Sequence, residues 1–451
     1  MRKQLLGLIL AAPLMVGMPT SVMASESDVA RLDSELTPTG AIRAGNAEGT
    51  IPPWTGGLAT PPAGWQPGQH EIDPFPEDRP LFSITPENMS QYADKMTEGH
   101  KALLRQYGDT FFMPVYQSRR TAAYPERVYD ALRYNAANAQ LLENGNGVTD
   151  TIATSPFPIP QNGLEAIWNH ILRFRGEEVS FRSAFATPTR DGSFNPVVTE
   201  YDYYMAYSED GVSLEDIDNK IFYLRTRILA PATLAGTINL VHETLDQIRS
   251  PRLAWRYEAG ERRLRRSPNL AYDTDLPNSS GFRTVDQKDM YNGAPNQYEW
   301  ELKGRREIYV PYNAYRLHGN IPNSEIVRSR HINQERTRYE LHRVWVVEAK
   351  LRTGIRHIYS RRVFYIDEDS WQILVSEEYD QNGELWRVSE AHNISFYSVP
   401  VFWTTLETTY DLRAERYYVD GLMEGQAPFD FEPNFRRNEF TAAAARRAAG
   451  R

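Results

Sequence analysis

The chain contains no cysteine, and that absence removes disulfides, thiolate nucleophiles, iron–sulfur clusters and cysteine-ligated zinc together. Any chemistry has to come from oxygen, nitrogen and imidazole groups. Long apolar runs are also missing beyond Met18, so no later segment reaches the roughly 20 residues a spanning helix needs. Neither sign of charge dominates: 50 Lys and Arg stand against 59 Asp and Glu, a formal net charge of -9 that offers nucleic acid no global attraction. The common catalytic signatures are absent as well. There is no G-x-S-x-G elbow and no Walker A sequence, and His242-Glu243 is followed by Thr244-Leu245-Asp246 rather than completing H-E-x-x-H. Gly145-Asn146-Gly147 starts like a nucleotide-binding loop but leads into no glycine-rich turn between a strand and a helix. The 9 histidines are scattered, and satisfied surface or core positions explain them better than a ligand set, so neither a metal nor a cofactor is expected.

What is present is bulk and aromatic surface. The 451 residues, 41% hydrophobic and 24% charged, can bury one large core or two ordinary ones, which excludes disorder as the dominant state. With 26 Tyr, 18 Phe and 9 Trp the composition favours β structure, or an aromatic-lined surface, over a helical bundle. At the start, Arg2 and Lys3 precede the apolar run Leu5 to Met18, and Val22-Met23-Ala24 fits the small-residue rule for signal peptidase. The pattern predicts export, cleavage after Ala24 and a mature chain from Ser25. No cysteine follows the cleavage point to take a lipid, so the expected product is a soluble periplasmic protein.

The chain reads as three parts: a signal peptide over 1–24, a Pro/Gly-rich wrapping arm over 25–86, and one domain over 87–451. Trp54 and Trp65 in the arm favour packing on the body. Helical periodicity covers Glu87 to Tyr107, Pro125 to Leu142 with Gly145 as its stop, and Leu164 to Arg173. The period then changes to two. Val197 to Ser208 is the clearest strand, with Tyr201, Tyr203, Met205 and Tyr207 on one side. Asp191-Gly192, Asn382-Gly383 and Asp420-Gly421 predict two-residue hairpin turns, and further runs at 221–229, 234–244, 253–257, 305–312, 343–351, 357–366, 372–379, 385–392 and 410–418 extend a largely antiparallel meander. Between Pro268 and Pro295 the pattern breaks, with one short helix expected near 285–291.

Two features carry functional weight. Alternate aromatic and apolar positions, namely Tyr201, Tyr203, Met205, Tyr207, Phe222, Leu224, Trp255, Trp345 and Val347, form either packed core or the hydrophobic wall of a ligand cavity. Arginine clusters in the β region make Arg265, Arg305 and Arg361 candidates for a head group or an acidic partner, against the plainer reading of a charged exterior face that protects sheet edges. The acidic runs Asp367-Glu368-Asp369 and Glu377-Glu378 could serve glycoside hydrolysis, but solvated turns account for them more simply.

Several segments carry a resemblance: Leu36-Thr37-Pro38-Thr39-Gly40-Ala41-Ile42-Arg43-Ala44-Gly45-Asn46, Gly49-Thr50-Ile51-Pro52-Pro53-Trp54-Thr55-Gly56-Gly57, Glu307 to Leu317, and Arg361 to Trp371. In them the chain resembles a family of exported proteobacterial proteins of unknown function, also labelled outer membrane lipoprotein-sorting-like. The resemblance implies a mainly β (α+β) fold similar to the LolA and LolB carriers. That fold is a large curved antiparallel sheet, an incomplete barrel, with helices over its concave side. The family has no established catalytic residues, and its members resemble frequent genomic neighbours of exporters of the resistance-nodulation-division type. Covered by something that can move, such a sheet makes a carrier, and burying a long acyl chain would contribute roughly 10 kcal/mol. The helices before Gly176 and the 268–295 segment are the expected cover. The function expected first is therefore a non-enzymatic periplasmic carrier of a lipid or other hydrophobic molecule, exchanging it with an envelope transporter or the outer membrane. A structural adaptor subunit comes second and a hydrolase third.

Overall fold

Period-two alternation dominates after Gly176, and in the computed structural model that part of the chain is almost wholly strand. The structure describes residues 25–143, 145–267 and 272–449; the signal peptide expected over 1–24 lies outside them. Ahead of the main strands come α1 (Glu26–Val29), β1 (Phe82–Ile84), α2 (Glu98–Tyr107), β2 (Met113–Tyr116), α3 (Glu126–Asn138), a small hairpin of β3 (Gln140–Leu141) and β4 (Val148–Thr149), and α4 (Gly163–Leu172). A meander follows in β5 (Glu178–Ala186), β6 (Val197–Tyr204), β7 (Lys220–Ala230), β8 (Ile238–Thr244), β9 (Leu253–Glu258) and β10 (Arg263–Arg266). After an irregular stretch the chain resumes with β11 (Tyr298–Pro311), α5 (Asn323–Ile326), β12 (Tyr339–Leu351), β13 (Arg361–Asp367), β14 (Ile373–Tyr379), β15 (Leu385–Phe396), β16 (Val401–Asp411), β17 (Arg416–Leu422) and α6 (Ala442–Ala449).

Fifteen strands form one sheet in the order β1-β2-β12-β13-β14-β15-β16-β17-β5-β6-β7-β8-β9-β10, with β11 also pairing β12. Among the described residues every strand pairing is antiparallel except the short contact of β2 with β12. Among the described residues β10 pairs only β9 and β11 pairs only β12, so the sheet is not closed. These two edge strands are consecutive in sequence. The chain between them must therefore cross from one edge to the other, and its described part, 272–297, does so as a strap. Its Tyr291 ring lies 5.5 Å from Phe364 of β13, while its Lys288 ammonium lies 5.0 Å from the Tyr201 ring of β6. One strap touching both halves of the sheet on the same face means that the sheet curls around it, and that face is the concave one.

The sheet is buried on both sides over β12 to β15. Helix α4 packs on β11 and β12 from the concave side, where Val347, Ala349, Phe364 and Ile366 meet its Ile167 and Ile171 in one core. Its Gly163 permits that approach, because a Cβ there would stand 2.8 Å from the Glu301 backbone. On the convex side α2 packs on β14 and β15, and Leu103, Leu104, Val344, Val346 and Val388 share a second core. Two buried faces explain why β13 and β14 read as nearly continuous buried runs. Over β8 and β9 the convex face is covered instead by the C-terminal segment ending in α6.

Several local expectations need correction. The helix expected over 87–107 is a 3-10 segment, Met89–Lys95, and then α2, because extended Thr97 breaks the run and caps α2 by accepting from the His100 N–H at 2.9 Å. The second helix stops at Asn138, short of Leu142; Ala139 turns extended, Gln140–Leu141 pairs with Val148–Thr149, and Gly145 sits in the loop between. The strand from Val197 ends at Tyr204 rather than Ser208. Asp191-Gly192 and Asn382-Gly383 occupy longer loops, and Asp420-Gly421 lies inside β17, where a shift in the pairing with β5 makes a bulge. Residues 410–418 are not one strand but the end of β16, a turn and the start of β17. The helix expected at 285–291 is a single 3-10 turn, Val285–Gln287.

Candidate binding site

The concave face of β17, β5, β6, β7 and β8 carries a cleft of about 150 Å³ beneath the strap. Strand alternation builds its wall. Thr199, Tyr201 and Tyr203 of β6, Phe222, Leu224, Thr226 and Ile228 of β7, and Asn239, Val241 and Glu243 of β8 all face it. The strap supplies the opposite wall: Leu276, Pro277 and Asn278 at the rim and Val285, Lys288, Asp289 and Asn292 deeper in. A smaller space of about 40 Å³ adjoins it, lined by Phe181, Trp403, Glu407 and Phe429, and shares Arg175, Tyr201, Tyr203, Lys288, Asp289 and Asp420 with the first. The lining is mostly carbon, and the charges gather at the inner end.

That inner end is an ion-pair cluster. Asp289 accepts from Arg173 and from Arg175, each at 2.6 Å, and its own carbonyl accepts from His170 Nε2 at 2.8 Å. Burial opposes the Asp289 charge, but the two guanidinium groups outweigh it and hold the carboxyl below the ordinary range. Asp289 and Met290 both take left-handed φ, 54° and 65°, a strained pair that these anchors hold in place. His170, buried and beside Arg173, is pulled down to about 3 and stays neutral. Arg283 pairs Glu407 at 2.5 Å, and Arg252 pairs Glu243 at 2.7 Å. Lys288 has a looser partner, Asp420 at 3.5 Å, and 25% of its side-chain surface stays accessible although it lines the inner end. Desolvation works against its ammonium, yet Tyr203 and the carboxylates of Asp420 and Glu407 outweigh it and raise the pKa. Burial in turn pushes the Glu407 carboxyl up against the pull of Arg283.

The structure brings four of the nine sequence-chosen wall residues together in this cleft: Tyr201, Tyr203, Phe222 and Leu224. The other five lie elsewhere. Met205 and Tyr207 follow the end of β6, and the Tyr207 hydroxyl bonds to Thr151 and to the Thr154 carbonyl, both at 2.8 Å. Trp255 pairs with Leu240, which puts it on the opposite face from Val241, against His242 at 4.8 Å. Val347 packs under α4, and Trp345 lies between the Trp371 ring and the Arg305 guanidinium. None of the three chosen arginines reaches the cleft. Arg265 is exposed and pairs Glu261 at 2.6 Å; Arg305 donates to the Gly40 carbonyl of the N-terminal segment at 2.6 Å; Arg361 pairs Glu348 at 3.1 Å over the Tyr379 ring. The cations of the site are Arg175, Lys288 and Arg252. Of these only Arg173-Phe174-Arg175 had a local signal, two arginines alternating about an aromatic just after a helix; Lys288 sits in a stretch without periodicity.

A second polar centre lies at the other end of the sheet. Asp367-Glu368-Asp369 and Glu377-Glu378, expected on solvated turns, are all buried. Among the described residues His342, Asp367 and Asp369 bring ligand-type atoms within 4.8 Å of one another. Most of those atoms already have partners: both Asp369 oxygens accept from Arg120 at 2.7 and 2.8 Å, Asp367 Oδ2 accepts from Tyr312 and Ser370, and His342 Nε2 lies 3.0 Å from Glu340, while Asp367 Oδ1 is buried without one. The same network holds the N-terminal segment, since Glu368 accepts from the Ile42 N–H and Arg343 donates to the Ala44 carbonyl. Its geometry is that of a clamp for 36–44.

Comparison with known proteins adds family but not chemistry. A family model described as "Protein of unknown function (DUF1329)" matches residues 83–446. The chain is 46% identical over 431 residues to an uncharacterised protein of Pseudomonas aeruginosa, covering 95% of both. Among solved structures it is similar to a DUF1329 family protein from Desulfovibrio piger, at 14% identity and a TM-score of 0.42 over 60% of this chain and 92% of that one. It is also similar to a putative outer membrane lipoprotein-sorting protein domain from Vibrio parahaemolyticus, at 11% identity and 0.41, covering 60% and 91%. A LolA superfamily protein from Nitrosomonas europaea gives 12% identity and 0.36, covering 60% and 93%.

Proposed function

Since the chain belongs to the DUF1329 family, whose function is unknown, its work has to be argued from its own cleft, and we propose that it binds and carries a small hydrophobic molecule. The observation that supports this reading is the apolar cleft itself: a sheet left open between β10 and β11, and a strap that bridges the gap without filling the space beneath it. Pockets for small molecules are concave and mostly apolar, with a few polar groups converging at one end, and this cleft has that character. Its volume corrects the expectation of a long acyl trough. About 150 Å³ holds something of the order of a benzene ring, so in this shape the cleft seats a short chain or one ring. The export signal read at the start of the chain supports a periplasmic setting, with an envelope transporter or the outer membrane as the exchange partner. No helix of the described residues is long and apolar enough to cross a membrane.

The test is native mass spectrometry and organic extraction of the protein purified from periplasm, followed by calorimetric titration with toluene, a neutral probe of one ring. A copurified hydrophobic guest, or saturable probe binding that an extracted guest displaces, is the expected result. A protein that carries nothing and binds no probe would leave the adaptor reading in its place.

A further inference from the structure

Resting on the reading of the cleft as a guest site, we propose that its guest carries a single anionic head group, a carboxylate or similar oxyanion, seated between Lys288 and Arg175 with the apolar body along Tyr201, Phe222 and Leu224. The argument is one of unfilled donors. Every carboxylate at the inner end but one has a close arginine: Asp289 has Arg173 and Arg175 at 2.6 Å, Glu243 has Arg252 at 2.7 Å and Glu407 has Arg283 at 2.5 Å. The remaining carboxylate, Asp420, stands 3.5 Å from Lys288, a long contact for a charge-assisted pair, which normally closes to about 2.7–2.9 Å. An ammonium has three donors, and beside Asp420 the Lys288 ammonium has the face of Tyr201, with Tyr203 and Glu407 near enough to act on its charge. Arg175 spends one terminal nitrogen on Asp289, and its Nε is buried without an acceptor.

Buried donors without acceptors are rare in folded proteins and call for a reason. Here the two cations line both the larger cleft and the smaller space beside it; the Arg175 Nε is itself covered, while Lys288 keeps 25% of its side-chain surface accessible, so the ammonium is the donor that a guest can meet. A neutral guest would leave Lys288 and Arg175 as they are, and a cationic one would stand against both.

The experiment is isothermal titration of the delipidated periplasmic protein, at low salt, with octanoate and with 1-octanol. Octanoate is expected to bind about tenfold more tightly or better. Lys288→Met should remove that preference, Lys288→Arg should retain it, and Arg265→Gln, at an exposed position outside the cleft, should change neither affinity. Equal affinities in the unaltered protein, or a preference that survives Lys288→Met, would overturn the anionic head group while the guest-site reading stands. Failure of both ligands to bind would overturn the two together. Should circular dichroism show Lys288→Met unfolded, the comparison of octanoate with octanol on the unaltered protein decides alone.

Discussion

Replacing Asp289 by Asn tests whether the strap is held by charge. The substitution keeps the shape of the side chain and suits the left-handed φ of 54°, which asparagine tolerates better than most residues, so backbone strain is not the variable. What changes is the anion between Arg173 and Arg175, both nearly buried, each 2.6 Å away. Breaking a buried pair by removing one partner costs about 3–5 kcal/mol, because the surviving charge stays buried, and here two cations are left to repel. Urea denaturation of Asp289→Asn should show that deficit near neutral pH, and hydrogen exchange should show protection lost over 283–292 before the sheet. The pH dependence fixes the sign. The folded carboxyl sits below its ordinary 3.8, so its contribution is fully present above that value and is lost only as the pH falls through the depressed folded one. The gap between variant and parent should therefore be constant above about pH 5 and close only in strong acid. A variant within about 1 kcal/mol of the parent, with exchange over 283–292 unchanged, would refute the reasoning.

Val241→Phe places a ring in the cleft and should weaken binding of toluene about tenfold, with stability within ~1.5 kcal/mol of the parent because the added carbon enters open space. Trp255→Ala should do the reverse, costing about 2–3 kcal/mol in a thermal melt while probe affinity holds, since this ring packs on the face away from the cleft. Gly421→Ala should destabilise by about 3 kcal/mol or more, because φ is +105° and the new Cβ would stand 1.9 Å from the Thr405 carbonyl oxygen. Burial and the neighbouring Asp369 lift the Asp367 carboxyl to about 6, so its contribution is present below 3.8 and lost as the pH rises through about 6. Asp367→Asn should thus be more stable than the parent by about 1–3 kcal/mol near pH 8 and equal to it near pH 4, as read by urea melts at both.

The strands were legible because period two survives in β6 and β7 even where both faces are buried: Tyr201 and Tyr203 face the cleft while Asp202 between them pairs Arg225 on the other side. Turn signals were less secure. Asp420-Gly421 carries the residues of a tight hairpin, but what its glycine serves is the close approach of β16, and a dipeptide cannot tell a turn from a bulge. The misplaced wall residues have one cause. Alternation says which residues share a face within a strand, but which face of β9 is concave depends on its register with β8, where Leu240 opposite Trp255 decides it. The strap was recognised as a break in pattern, yet its anchors Arg283, Asp286 and Asp289 pair with arginine or carboxylate partners between 76 and 124 positions away, beyond the reach of any local rule.

Magnitudes decide how a guest could enter. Filling about 150 Å³ buries roughly six carbons and gains about 5 kcal/mol. Lifting the whole strap would separate Arg283 from Glu407, Asp286 from Arg362 and Asp289 from its two arginines. At about 3–5 kcal/mol for each pair whose remaining charge stays covered, that loss is about two to three times the gain. The rim is held differently: the isolated bridge of Asp275 with Thr284 and the bond from the Leu276 N–H to the Arg283 carbonyl are backbone contacts, and Asn278 at the tip is exposed. Exchanging such bonds for water costs about 1 kcal/mol each. Entry therefore belongs to 275–280 alone, with 283–292 staying down. The charged inner end then remains assembled while the rim opens, so a head group meets Lys288 and Arg175 already in position, and a chain longer than the cleft would extend outward past Asn278.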